Sequence, residues 1–194
     1  VLAARGVTRE GQLQLSLGRL PHPDGFNGLG AAVDLLQQAR EEHWRICVVG
    51  AGFMGCVIAT LYAHHGYEVV LCDKEQGLLD SYAERARPIA ATFTKEAAEV
   101  EAMLAKVSTE ADLKAAVQGA FLVHEAVQEV LETKQDVFAQ LDEICPDNVV
   151  LASTTSSLLI SDIAEKVTHK GRVPGNPYTT PVHIKHGAEL LPSE

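Results

Sequence analysis

Gly50, Gly52 and Gly55 stand in a G-x-G-x-x-G spacing, and an acidic residue, Asp73, follows the first of them by 23 positions. Residues of these types at this spacing suit the capture of a dinucleotide. Gly50 permits a tight turn, Gly52 omits the Cβ that would obstruct a pyrophosphate, and Gly55 lets a helix pack closely on a strand. The helix expected to open at Phe53 and Met54 would turn its free N–H groups and the positive end of its dipole toward the phosphates. Asp73 would accept hydrogen bonds from both hydroxyls of the adenosine ribose and repel a 2′-phosphate, so NAD is expected rather than NADP, a preference that neighbouring Lys74 softens. A chance glycine-rich turn is the competing reading in a chain with 15 glycines. The elements flanking the motif decide against it.

Residues 46–49 form an apolar run directly before the motif. Met54, Val57, Ile58 and Leu61 then recur at helical spacing until Gly66, and residues 68–72 form a second run rich in β-formers that delivers Asp73. Residues 78–87 read as a helix stopped by Pro88, and 94–104 as another helix by propensity. Residues 121–124 are a strand candidate. Val130, Leu131, Val137, Phe138, Leu141 and Ile144 mark a long amphipathic helix, and 149–152 read as a further strand. Strands alternating with helices of this length imply an α/β fold: a doubly wound, mostly parallel Rossmann sheet. It is expected over residues 45–194. Residues 1–44, broken by glycine and proline, read as a tail or linker with a short helix near 31–42, where Ala32, Leu35, Leu36 and Ala39 recur.

Sixteen Lys+Arg against 26 Asp+Glu give a formal charge of −10, which offers no chain-wide basic footprint for nucleic acid. No apolar run approaches the roughly 20 residues of a membrane-crossing helix. Cys47, Cys56, Cys72 and Cys145 lie far apart with no CxxC, which fits buried, reduced thiols and no metal site. A cytoplasmic location is expected, with the mitochondrial matrix as the alternative suggested by Arg5, Arg9 and Arg19.

With these residues in view, the segment 46–73, carrying Gly-Phe-Met-Gly within the fingerprint, resembles the NAD-binding domain of the 3-hydroxyacyl-CoA dehydrogenases and their lambda-crystallin or L-gulonate dehydrogenase relatives. A second block is similar to the same family: Glu125-Ala126-Val127-Gln128-Glu129, then Lys134, Phe138 and Leu141-Asp142, then Leu151-Ala152-Ser153-Thr154-Thr155-Ser156-Ser157-Leu158. The resemblance implies an oxidoreductase of fatty acid metabolism that passes hydride between NAD and a hydroxyacyl-CoA, or a small polyol acid such as gulonate. It implies Glu129 and Lys134 near the nicotinamide ribose, and Ser156 as the hydroxyl that holds the substrate oxygen, a task for a group that both donates and accepts. The other reading of Ser156 is a turn cap for the following helix.

The resemblance also brings departures. The family's histidine base is held by a glutamate, and Glu189 stands at the glutamate position, but the histidine position holds Pro177, or Asn176 after a shift of one. Thr154 and Thr180 replace family asparagines, and His183 and His186 are the nearby candidates for a substitute base. The family's C-terminal all-helical domain, through which its members dimerise, is not expected within these residues, so the chain is expected to be a monomer or weak homodimer. The alternative to an oxidoreductase is a catalytically silent NAD-binding or structural homologue lacking the histidine base.

Overall fold

The structure, a computed structural model, describes residues 29–175. The chain divides into two units between Gln38 and Ala39, inside helix α1 (Leu29–Glu41), and the account below concerns the second. There the order is β1 (Arg45–Val49), α2 (Phe53–His64), β2 (Glu68–Cys72), α3 (Gln76–Asp80), α4 (Tyr82–Phe93), α5 (Ala97–Leu104), β3 (Val107–Glu110), α6 (Leu113–Ala116), β4 (Ala120–Glu125), α7 (Leu131–Ile144), β5 (Val150–Ser153) and α8 (Ile160–Ile163). All neighbouring strands pair in parallel, in the order β3-β2-β1-β4-β5. The strand sequence therefore reverses direction across the sheet between β1 and β4, and ligands of such sheets bind beyond the carboxyl ends at that place.

Alternation along β1 shows why the sheet is covered on both faces. Ile46 and Val48 pack with Ile58, Leu71 and Leu104 on one side. Cys47 and Val49 pack with Val123, Phe138, Leu141 and Leu151 on the other. A parallel sheet buried on both faces takes apolar residues at successive positions, which is what β1 and β2 carry. All four cysteines are free and buried. Burial, assisted by Asp73, Glu110 and Asp112, pushes the Cys72 thiol up to about 12, so it behaves as a small hydrophobe.

Two expectations need correction, and one strand adds to them. Pro88 does not end a helix: it lies within α4. Pro88 and Glu84 are both exposed, so the carbonyl left without its usual partner four residues back faces water, while Ala86, Ile89 and Ala90 on the same helix are buried. The next helix begins at Ala97 rather than Thr94, because the Thr94 hydroxyl accepts from the Glu96 N–H at 3.2 Å and makes a local turn instead. Finally, β3 is a strand the periodicity missed. Its Val-Ser-Thr-Glu sequence is polar because it is an edge strand with exposed positions at Ser108 and Thr109.

Candidate functional site

The carboxyl ends of the central strands are tied into one row by backbone hydrogen bonds. The Gly50 N–H donates to Cys72 O (2.8 Å), Ala126 N–H to Val49 O (2.7 Å) and Thr154 N–H to Glu125 O (3.0 Å). Segments following β1, β2, β4 and β5 are thereby held side by side.

Within this row the glycine loop takes its shape from contacts that exclude side chains. Gly50 has φ +105°, and a Cβ there would come within 2.6 Å of Ala126 O. A Cβ on Gly55 would lie 1.7 Å from Gly50 O, so helix α2 touches the loop backbone directly. Gly52 is different: among the described residues a Cβ on it would meet nothing within 4 Å. Its lack of a side chain answers no packing need of these residues and leaves an open approach to the amino end of α2, where no described side chain caps the helix. Phe53 is 70% exposed at this opening, and Met54 is half-buried beside it. Asp73 Oδ2 accepts the Ala51 N–H at 2.7 Å and Oδ1 the Glu75 N–H at 3.0 Å, which binds the end of β2 to the glycine loop. Open Gly52, an uncapped twelve-residue helix and an anchored carboxylate fit the phosphates and ribose of a dinucleotide.

A second cluster lies beyond β4 and β5. The Lys134 ammonium, on the inward face of α7 and 0% exposed, sits 2.7 and 2.9 Å from the two oxygens of Glu125, itself wholly buried, and 3.2 Å from Glu129 Oε2. Glu125 also accepts the Ser153 hydroxyl at 2.6 Å and the Val127 N–H at 2.7 Å. Glu129 Oε1 gathers four donors from the turn after β5: the hydroxyls of Thr155 (2.6 Å) and Ser157 (2.9 Å), and the N–H groups of Ser156 (3.2 Å) and Ser157 (3.4 Å). Partial burial works to raise the Glu129 carboxyl, but the hydrogen bonds from Thr155 and Ser157, with the charge and hydrogen bond of Lys134, outweigh it and hold it down at about 2. Ser156 is exposed. The hydroxyl that caps the turn belongs to Thr155, which accepts the Leu158 N–H at 3.0 Å, and among the described residues the Ser156 hydroxyl has no partner.

Residues 45–194 match the family model described as 3-hydroxyacyl-CoA dehydrogenase, NAD binding domain. The chain belongs to this family. Its relatives include the mitochondrial hydroxyacyl-coenzyme A dehydrogenase of Rattus norvegicus, 33% identical over 155 residues, and the lambda-crystallin homolog of Homo sapiens, 35% identical over 153. The matched stretches cover 75% and 76% of this chain, and 49% and 48% of those proteins. The chain thus spans about half the length of the curated relatives it matches. Among solved structures, 3-hydroxybutyryl-CoA dehydrogenase from Escherichia coli superposes with a TM-score of 0.70 at 32% identity, over 76% of this chain and 32% of that one. The domain is accordingly the NAD-binding unit of an oxidoreductase family, and NAD is its cofactor.

The NAD-binding domain brings Gly50, Gly52, Phe53, Met54, Gly55 and Asp73 to one opening, and Glu129, Lys134 and Ser156 into the neighbouring cluster. Glu189, Asn176, Pro177, Thr180, His183 and His186 lie outside the described residues. Glu125, Ser153, Thr155 and Ser157 were not singled out from sequence. A signal for the buried pair was present: Leu131, Lys134, Phe138 and Leu141 share one helical stripe, so the lysine faces inward with the apolar residues and needs an inward acid.

Proposed function

We propose that this chain is the cofactor-binding part of a dehydrogenase acting on the hydroxyl-bearing carbon of a hydroxyacyl substrate. The observation that carries the reading is the pairing, at the carboxyl ends of the strands, of an open glycine loop anchored to Asp73 with a Ser156 hydroxyl that has no partner among the described residues. Gly52 and the first N–H groups of α2 would take the pyrophosphate, and Asp73 the adenosine ribose. When bound, NAD supplies the acceptor or donor of the hydride. Ser156 would hold the substrate oxygen, donating to it as a carbonyl and accepting from it as a hydroxyl, so the same group serves both directions. The resemblance would put the nicotinamide ribose near Glu129 and Lys134, and Glu129 is held beside Ser156. The relatives named for hydroxyacyl- and hydroxybutyryl-CoA support a 3-hydroxyacyl thioester as the substrate class.

One sequence observation favours a second reading. Pro177, at the place of the family's histidine base, has no titrating group, so a silent NAD-binding homologue would bind the cofactor without turnover. The first test is thermal unfolding with NADH and with NADPH, since a ligand bound only by the native state adds about 2.7 kcal/mol at a hundred times its dissociation constant. NADH alone should raise the transition, and Asp73→Ala should weaken that response and narrow the gap to NADPH. No response to NADH at millimolar concentration would remove both readings. Turnover of a 3-hydroxyacyl-CoA by the protein, lost in Ser156→Ala, then selects the first.

A further inference from the structure

We propose that Glu125 is a positioning residue that acts on the cofactor through Lys134. It takes the ammonium for itself, leaves Glu129 as an uncompensated carboxylate, and thereby favours the oxidised, positively charged nicotinamide over the reduced, neutral one. The inference rests on the reading that puts the nicotinamide ribose near Glu129 and Lys134. Reduction of the ring removes its positive charge, so a fixed charge beside it binds the two forms unequally.

Where the ammonium belongs is visible in its distances. Lys134 Nζ lies 2.7 and 2.9 Å from the two oxygens of Glu125, but 3.2 Å from a single oxygen of Glu129. The side chains of Lys134 and Glu125 are both 0% exposed, whereas that of Glu129 is 40% exposed. The Val127 N–H and the Ser153 hydroxyl complete Glu125, so each of its oxygens accepts two donors. A two-pronged contact out of water is the stronger of the two, because attraction between charges grows as solvent is withdrawn. Glu129 is held differently. Partial burial opposes its ionisation, and the Thr155 and Ser157 hydroxyls, followed by Lys134, overcome it. Neutral donors steady a carboxylate without cancelling its charge. Two carboxylates around one ammonium leave one negative charge over, and it falls on Glu129, the member that a ligand can approach.

The test measures dissociation constants for NAD+ and for NADH in the wild-type chain, Glu125→Gln, Glu129→Gln and the double variant Glu125→Gln/Lys134→Met. The readout is the ratio of the two constants, which a merely structural role would leave in place by weakening both forms alike. Glu125→Gln frees the ammonium to neutralise Glu129, and should weaken NAD+ relative to NADH by about three- to tenfold, the effect of removing one half-screened unit charge. Glu129→Gln should move the ratio in the same sense. The double variant removes the ammonium together with its partner, so its ratio should return to within about twofold of the wild type. A ratio that moves in only one of the two single variants overturns the inference and leaves the placement of the nicotinamide ribose standing. A ratio that moves in neither overturns both. If Glu125→Gln does not fold, the double variant decides: a gain in NAD+ over NADH of about threefold or more would show that Lys134 had been neutralising Glu129, and would overturn the inference. A wild-type chain that binds neither form removes the cofactor reading, and the inference with it.

Discussion

Alanine at two glycines of the same loop should separate cofactor binding from folding. At Gly55 the added Cβ would sit 1.7 Å from the Gly50 carbonyl oxygen, and a comfortable contact is about 3.5 Å, so helix and loop must part by nearly 2 Å. The obstacle is backbone on both sides, which places Gly55→Ala at the upper end of overpacking costs, about 3 kcal/mol. For a chain of this length that lowers the melting temperature by about 6–12 °C. At Gly52, the N-cap of α2, the same methyl meets nothing within 4 Å among the described residues, and stability should fall by no more than about 1 kcal/mol, the cost of alanine at a cap. The methyl would, however, stand in the open approach to the amino end of α2. Scanning fluorimetry with NADH at a hundred times its dissociation constant should raise the wild-type transition by about 5–11 °C. Gly52→Ala should melt within about 4 °C of the wild type without ligand and lose that rise. A full NADH response in Gly52→Ala would refute the argument that this side of the loop receives the phosphates. A Gly55→Ala variant melting with the wild type would refute the close-contact argument.

Two further outcomes follow from the buried charges. Lys134→Met should cost about 3–5 kcal/mol in urea unfolding, because it leaves the wholly buried Glu125 carboxylate without its counter-ion, and pairing it with Glu125→Gln should return part of that loss. His124 is fully buried, shares a 2.9 Å hydrogen bond with the Tyr62 hydroxyl, and burial, then the charge of Lys134, push its imidazole down to about 4. Since the unfolded chain binds the proton near 6.5 and the folded one only near 4, stability is complete above the higher value and declines as pH falls toward the lower. The loss is about 3 kcal/mol across that window. Urea midpoints measured from pH 7 to 4 should show this slope, and His124→Gln should flatten it; equal slopes in the two proteins would exclude His124 as the source.

The parts of the site that could be read in the sequence are those that act through their own backbone. Gly50, Gly52 and Gly55 impose local geometry, and Asp73 needs only to end its strand, so spacing carries the information. The buried cluster is a tertiary arrangement. Lys134 meets Glu125 because β4 feeds α7, and Glu129 meets Thr155 and Ser157 because β5 lies beside β4; no spacing within one element encodes either meeting. For the same reason the sequence leaves two readings of Ser156, a substrate-holding hydroxyl or a turn cap, and the placed hydroxyls give the cap to Thr155. In the fold, buried strands announce themselves as apolar runs, while β3, with one apolar residue at the sheet margin, carries no such run. Pro88 stays inside α4 because it and Glu84 are exposed, a tertiary fact that the residue type does not carry.

Because every strand of the sheet points the same way, the loops that hold Gly52 and Ser156 gather at one rim and the amino ends of the strands at the other. The turn through Pro146, Asp147 and Asn148 precedes β5 on that other rim, and the Asp147 side chain is 79% exposed. It stands a strand length, roughly 15 Å, from the row of loops that holds Gly52 and Ser156. A dye, a biotin or a surface linker fixed there through an Asp147→Cys thiol would be presented apart from four native thiols that are all buried. Single-molecule or immobilised binding measurements could then leave the cofactor face untouched.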